Sequence, residues 1–372
     1  MLNNFAKIFD QLICKMECVA KWCKKINEKF LRAFLTVILC CLAVSFWGES
    51  ALENIPPLKS VYYDTLAINF PDLIGELSSV PGRLILFFAL ALILLCYCFR
   101  KLYRPFALMM LHSTMGHDLS QLDGSLQKAF WLKKVNFSWQ LPSHNIPEEQ
   151  IITTICEQDR LFKSTQEDNW CSTIFYYGVA HIPLVFRLGY QWGQTKDIRL
   201  LHRFRPTESA QEFKELPEHE QEKMPQTNQS DRLDAPNYNL RSKHLLVSIA
   251  TSYPIKKEDL SYIDPSDTML RYDMQAGTPG VDFFNSYQKI RSYADRVVDD
   301  LRKIIKERGI ETIHLAISSS VPFTFYLAQQ MNTNQFCKII VYHYDHGKYT
   351  WGIDVTEPEA RKAIRWVENA KN

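Results

Sequence analysis

Two apolar runs near the N-terminus limit what this chain can fold into: Phe34 to Phe46 and Leu84 to Phe99. With their flanks, each approaches the ~17–25 apolar residues that cross a hydrocarbon layer about 30 Å thick. A hairpin of two spans would leave everything after the second run on the same side as the N-terminus. Both runs are short. Leu84 to Phe99 alone reaches only about 24 Å at ~1.5 Å per residue, and short spans are accommodated by bilayer thinning, snorkelling or oligomerisation. Neither run contains Asp or Glu, so nothing resembles an intramembrane ion site.

Charge sets the expected orientation. Lys7, Lys15, Lys21, Lys24, Lys25, Lys29 and Arg32 precede the first run, and Arg100, Lys101 and Arg104 follow the second. The loop between is mainly acidic, with Glu49, Glu53, Asp64, Asp72 and Glu76 against Lys59. Basic flanks stay in the cytoplasm, so both termini are expected inside a bacterial inner membrane and the loop outside. A secretory signal fits less well, because a long segment precedes the apolar core and no small-x-small cleavage site follows. A pair of buried core helices is the other reading, set against the basic stop after Phe99. Ahead of the first run, Phe5, Phe9, Leu12, Met16, Val19, Cys23, Ile26 and Phe30 recur at alternating steps of four and three. That stripe suits a self-association seam, a helix on the inner leaflet, or one face packed on the protein's own domain.

The net charge of +2 is too small for a duplex-binding protein, and no long basic run lies beyond the membrane flanks, so no DNA or RNA duplex is an expected partner. Seven of the ten cysteines sit in or before the apolar runs; cytoplasmic ones stay reduced. Cys14, Cys18 and Cys23 lack the paired spacing of a zinc site, and His112 and His117 do not share a helical face. No metal and no cofactor are expected. The chain has no P-loop, GxSxG, HExxH or clustered carboxylate pair, so no catalytic residue is assigned.

Roughly 270 residues after the second run allow a large α/β domain. Strands are expected at Pro105 to Leu111, Ala129 to Trp139, Ile174 to Tyr177 and Ile198 to His202, with a helix ending near Trp192. Residues from Pro206 to about Asn239 are rich in Glu, Gln, Asn and Pro and read as a connector. The scheme then recurs: a strand from Lys243 to Ile249, a long amphipathic helix from about Asp282 to Arg308 stopped by Gly309, a strand from Thr312 to Ile317, a helix from Phe323 to Met331 and a strand from Lys338 to Tyr342. Laid on each other, Pro183 falls on Pro322, Ile174 on Ile313, Phe186 on Phe325, Leu188 on Leu327 and Gln191 on Gln330. After a gap, Ile198 falls on Ile339, Leu200 on Val341 and His202 on His343. Strand, small-residue turn, proline-led helix and strand in one order suggest two Rossmann-like halves.

Ligands of open parallel sheets bind at the carboxyl ends of the strands, where loops meet helix N-termini. The Ser318-Ser319-Ser320 turn before Pro322 offers backbone N–H groups, hydroxyls and a positive helix end, which suit a phosphate. Its counterpart is Gly178 with His181, and two further strand ends add Ser113, Thr114, Thr251 and Ser252. Four small, hydroxyl-rich strand ends match a ligand with more than one phosphate. The bland readings stay open: Ser320 as a plain helix cap, His181 as a satisfied turn histidine, and Tyr349 and Trp351 as sheet residues rather than base-stacking platforms.

At these residues the chain resembles a known family. Phe175-Tyr-Tyr-Gly-Val-Ala-His-Ile-Pro-Leu-Val-Phe-Arg-Leu-Gly-Tyr190 resembles the first-half signature of the SAVED domain. Ile313-His-Leu-Ala-Ile-Ser-Ser-Ser-Val-Pro322 with Lys338-Ile-Ile-Val-Tyr-His-Tyr-Asp345 resembles its C-terminal half. SAVED domains are fused pairs of CARF-like Rossmann units that bind cyclic oligonucleotides in bacterial CBASS anti-phage systems. The resemblance spans about residues 105 to 356, and the N-terminus is similar to that of two-transmembrane SAVED effectors. One departure is Phe213, where many members carry a tryptophan.

The residues give an amphipathic helix at 1–32, two transmembrane helices at 33–100 and a connector at 206–240, and the resemblance implies a first CARF-like half at 101–205 and a second at 241–372. It implies a ligand pocket drawn from Ser113, Thr114, Gly178, His181, Thr251, Ser252, Ser318, Ser319 and Ser320. The ligand would be a cyclic di- or trinucleotide made by a cognate cGAS/DncV-like nucleotidyltransferase. Ligand-induced homo-oligomers would then disrupt inner-membrane lipid and cause abortive infection. A membrane-tethered enzyme that cleaves the cyclic nucleotide, and a receptor without membrane-disrupting activity, are the alternatives.

Overall fold

The protein is described by a computed structural model covering residues 104–117, 119, 124–142, 144–167, 173–194, 198–204, 212–218, 242–276, 279–332 and 335–367. The two apolar runs, the heptad stripe and most of the connector lie outside these residues. Among the described residues, no helix is long and apolar enough to cross a membrane. The chain divides between Pro105 and Phe106, and the architecture below is that of the second unit.

Strands β1 (Phe106–Ser113), β2 (Trp131–Ser138), β3 (Thr173–Val179), β4 (Ile198–Phe204) and β5 (Glu212–Glu215) form one sheet in the order β2-β1-β3-β4-β5. Its first four strands run parallel, and β5 turns back antiparallel on β4. Strands β6 (His244–Ala250), β7 (Leu270–Gln275), β8 (Thr312–Ser318), β9 (Lys338–Asp345), β10 (Lys348–Asp354) and β11 (Ile364–Trp366) form the other, in the order β11-β10-β9-β8-β6-β7. Here β7-β6-β8-β9 is parallel, and β10 turns back on β9. The order β2-β1-β3-β4 is therefore repeated as β7-β6-β8-β9, each set closed by an antiparallel strand. The central strands β1, β3, β6 and β8 are buried along nearly their whole length, as parallel strands covered on both faces must be. That is why they read as continuous apolar runs.

Seven helices accompany these strands among the described residues: α1 (Gly124–Ala129), α2 (Glu148–Glu167), α3 (Ile182–Trp192), α4 (Lys257–Leu260), α5 (Tyr287–Arg308), α6 (Val321–Met331) and α7 (Ala360–Ala363). Helices α3 and α6 are the two proline-led helices. Each carries proline in its first turn, where the missing N–H costs nothing. They pack on each other and cross over between the halves, with α3 against β9 and β10 and α6 against β3 and β4. One apolar core therefore runs through both halves, from Leu108 and Tyr176 to Leu315 and Ile353. The Tyr176 and Phe325 rings stack across this seam at 3.9 Å. Each fully buried large apolar side chain here contributes ~1.5–3 kcal/mol, so the seam itself stabilises both halves.

The structure departs from the sequence reading at several elements, among them the short helices α1, α4 and α7 and strand β11, none of which was expected. Helix α5 begins at Tyr287 rather than Asp282, because the Ser286 hydroxyl accepts the Lys289 N–H and caps it there. Its end at Gly309, in the left-handed conformation with φ 62°, is as expected. The segment read wholly as connector contains strand β5. Helix α2 and strand β7 were not expected at all. In β7, Leu270, Tyr272 and Met274 alternate buried with less buried Arg271 and Asp273, a period-2 pattern masked by its charges. In α2, buried Thr154, Gln158 and Thr165 interrupt the apolar stripe of Ile151, Ile152, Ile155 and Phe162.

Candidate ligand clefts

At the carboxyl ends of the parallel strands lie two clefts, and each draws residues from both halves. The first, about 230 Å³, is lined by Ser252 and Tyr253 after β6, Val281 after β7, and Ser318, Ser319 and Ser320 between β8 and α6. Gly178 and Val179 at the end of β3, and His202 and Arg203 of β4, close it from the other half. The second, about 430 Å³, is lined by Met115 and His117 after β1, Pro142 and His144 after β2, and His181 between β3 and α3. His343, Tyr344, Asp345 and His346 at the end of β9 close it. The strand ends correspond one for one: β6, β7, β8 and β4 in the first cleft, β1, β2, β3 and β9 in the second. His181 thus corresponds to Ser320, and His202 to His343, the pairs expected from laying the two sequences together.

Sequence-predicted residues divide between lining and support. Gly178, Ser252, Ser318, Ser319 and Ser320 line the first cleft, and His181 lines the second. Ser113, Thr114 and Thr251 are buried and line neither. Their hydroxyls hold the strand ends in shape instead. Ser113 donates to the His117 carbonyl at 3.1 Å. Thr251 donates to the Ser319 hydroxyl at 2.7 Å. The Thr114 oxygen accepts the His181 N–H at 2.8 Å and lies 2.6 Å from His181 Nδ1. The Thr114 oxygen thus ties both the backbone and the ring of His181 to the end of β1.

The first cleft gathers hydroxyls and a helix N-terminus, groups that suit an anion. Ser320, at the N-cap of α6, has no side-chain capping bond, and its buried hydroxyl finds no partner among the described residues. A buried hydroxyl left unsatisfied costs ~1–3 kcal/mol, which a ligand oxygen would recover. The Ser318 hydroxyl accepts the Tyr253 N–H at 3.2 Å and the Ser319 hydroxyl accepts the Thr251 proton, so both keep their own protons to donate, beside Ser320 and the first N–H groups of α6. Arg203 lines the opposite wall. His202 is bound at 3.0 Å to Asp282.

The second cleft is rich in imidazole. The His181 and His343 rings meet edge to face at 4.8 Å between centres. Burial pushes the His181 pKa down to about 4 despite the nearby Asp345 carboxylate. Burial, reinforced by His181, pushes His343 to about 3. Both rings are neutral at neutral pH and serve as hydrogen-bonding groups rather than cations. Tyr253 at the first cleft and Tyr344 at the second are large aromatic side chains left 58% and 46% exposed. The sequence reading missed Tyr253, Arg203 and Tyr344, because only the crossing of the halves brings β4 and β9 beside the opposite turns. His112, expected at a turn, lies instead inside β1, fully buried, with Nδ1 2.9 Å from the Tyr176 hydroxyl. Tyr349 and Trp351 are sheet residues of β10, 1% and 2% exposed.

The chain is similar to three solved structures at the level of fold. One is the Acinetobacter baumannii Cap4 SAVED/CARF-domain containing receptor with the cyclic trinucleotide 2'3'3'-cAAA, 13% identical, with a TM-score of 0.45, covering 82% of this chain and 66% of that one. The same receptor with 3'3'3'-cAAA is 12% identical, with the same TM-score and coverage. The Moraxella osloensis Cap4 SAVED/CARF-domain containing receptor is 13% identical, with a TM-score of 0.40, covering 82% of this chain and 65% of that one. This chain thus spans just under two thirds of the length of each. No curated protein matches it. The family model for the SAVED domain, the SMODS-associated and fused to various effectors sensor domain, matches residues 158–355. That stretch runs from within α2 through β10, more than half of the chain, and includes the whole of the first cleft and the His181 and β9 side of the second: the protein belongs to the SAVED family of sensor domains.

Proposed function

We propose that the protein is a membrane-anchored sensor and effector that binds a cyclic oligonucleotide in its SAVED domain. The observation that carries this reading is the pair of corresponding clefts, each completed by the opposite half. A ring of phosphodiesters presents phosphates and bases around an axis, and the corresponding strand ends offer two places to hold it, one lined by hydroxyls and one by imidazoles. Ser320 and the α6 N-terminus take a phosphate, Arg203 neutralises its charge, and Tyr253 and Tyr344 stack on bases. A cyclic di- or trinucleotide is the ligand class, supplied by a cGAS/DncV-like nucleotidyltransferase in a CBASS-type anti-phage response.

The effector part of the reading rests on sequence. Two short apolar runs with basic flanks anchor the chain in the inner membrane, both termini cytoplasmic. Ligand bridging the two halves alters a surface on which a second copy docks. Assembly then gathers many short spans in one patch, where mismatch thins and breaches the bilayer, killing the infected cell.

Binding is tested on the full chain in detergent, screened by thermal shift against cyclic di- and trinucleotides. A ligand at 100 times its Kd adds ~2.7 kcal/mol of stability. A shift with one cyclic class, and none with linear or mononucleotide controls, supports the reading; no shift with any cyclic nucleotide removes it. Chromatography of the ligand after incubation separates sensing from cleavage: intact ligand is expected, and linear product would favour the enzyme.

A further inference from the structure

We propose that His144, Asp345 and His346 form a binding site for a first-row divalent cation, with Zn²⁺ the ion their donor set suits best. The three residues offer two imidazole nitrogens and a carboxylate oxygen, all within 4.8 Å of one another. His144 Nδ1 lies 3.1 Å from Asp345 Oδ1, and His346 Nδ1 lies 2.6 Å from the same oxygen. The two imidazole rings meet edge to face with centres 3.8 Å apart. Ligand atoms around tetrahedral zinc, with bonds of about 2.0–2.1 Å, stand about 3.3 Å from each other. The donors are therefore close to ligand spacing before any ion enters. Mixed imidazole and carboxylate donors favour zinc over magnesium or calcium, which prefer all-oxygen sets.

The backbone is arranged to bring these groups together. His144 follows β2, and Asp345 and His346 close the tight β9–β10 hairpin, so the donors come from opposite halves. In that two-residue turn His346 has φ 48° and Gly347 φ 84°. A turn with two left-handed residues takes Asn-Gly most easily, and a histidine there holds its imidazole in place at a conformational cost. Asn145, next to His144, is also left-handed at φ 49°. The side chains of His144 and His346 are 53% and 69% exposed, which gives an ion a path in. A fourth coordination position would open on the second cleft, which all three residues line. The rival reading has the two imidazole N–H groups donating to Asp345 with no ion.

The test uses the full chain in detergent, stripped with a chelator and titrated with Zn²⁺ against an indicator dye, then with Co²⁺ for its visible spectrum. One equivalent of Zn²⁺ is expected at micromolar or tighter affinity. His346→Asn, which suits the left-handed turn, and His144→Gln should each weaken binding by more than about tenfold, with melting of the metal-free protein unchanged. A Cys14→Ser/Cys18→Ser/Cys23→Ser variant should bind as the parent does, and the Co²⁺ spectrum should lack a thiolate charge-transfer band. The proposal is overturned by no Zn²⁺ uptake, by uptake unchanged in the H144Q/H346N double variant, or by a thiolate band that vanishes with the cysteines. None of these outcomes depends on what the clefts bind.

Discussion

Gly189 of α3 lies so close to Phe325 of α6 that a Cβ there would stand 2.5 Å from the Phe325 carbonyl oxygen and 3.0 Å from the Ala328 Cβ. Only a residue without a side chain lets the two proline-led helices meet at this distance. Their contact joins the halves and so sets the separation of the strand ends that line the clefts. Gly189→Ala should destabilise the protein by about 1–3 kcal/mol through overpacking. Gly280, where a Cβ meets nothing within 4 Å, is the control, and Gly280→Ala should be close to neutral. Chemical denaturation checks both; equal stability of the two variants would contradict the close approach.

A second tie between the halves is a hydrogen bond from a buried arginine whose charge is met within its own half. Arg187, 2% exposed, makes a forked pair with Asp159 at 3.1 and 2.8 Å and also donates to the Glu357 carbonyl at 3.0 Å. Removing one partner of a buried pair strands the other charge, at a cost of about 3 kcal/mol or more. Asp159→Ala should show that loss in denaturation. Arg187→Lys should fail to avoid it, because an ammonium cannot supply the planar fork. Full stability in R187K would show that only charge matters here.

Much of this architecture is legible in the sequence. Pro183 and Pro322 start the paired helices, continuous apolar runs mark the buried parallel strands, and laying the halves together matches His202 with His343. What stays hidden has two physical causes. Polar residues buried by partners break the expected period: Gln158, whose amide donates to the Leu184 carbonyl at 3.2 Å, interrupts the stripe of α2. Strand-end hydroxyls read alike whether they face a ligand or a neighbouring chain, so Thr114 and Thr251 look like Ser320 until their hydrogen bonds are seen. The His144–Asp345 contact joins residues 201 positions apart, which no local spacing rule can reach.

The exposed tyrosines offer a prediction specific to ligand. Tyr253→Ala and Tyr344→Ala should each weaken cyclic-oligonucleotide binding by about 5- to 100-fold, the worth of one base stacked on an aromatic ring. Neither ring is buried, so melting without ligand should stay within about 1 °C of the parent, as for most surface changes. Unchanged affinity in both variants would remove the tyrosines from the site.

Stability should fall with acid for an identifiable reason. Burial holds His112 at about 3, aided by His181, and His314 at about 4, aided by His244. Both are depressed below the unfolded value near 6.5, so the unfolded chain binds more protons below that pH. Their stabilisation is complete above about pH 6.5 and is lost as pH falls, by ~1.4 kcal/mol per unit for each residue. For His314 the loss continues to about pH 4. His314→Gln keeps a hydrogen-bonding group near the Tyr342 hydroxyl, which stands 2.9 Å from His314 Nδ1, and should flatten the slope between pH 6 and 4.5. An identical slope in the variant would contradict the assignment.

The account stands or falls on a coupling between the clefts and the bilayer. The direct measurement is dye release from liposomes carrying the full chain, titrated with the cyclic oligonucleotide that gives the largest thermal shift. Release should begin over the same concentrations as binding and should be lost in Tyr253→Ala at those concentrations. Saturated protein that leaves the dye inside would contradict the account.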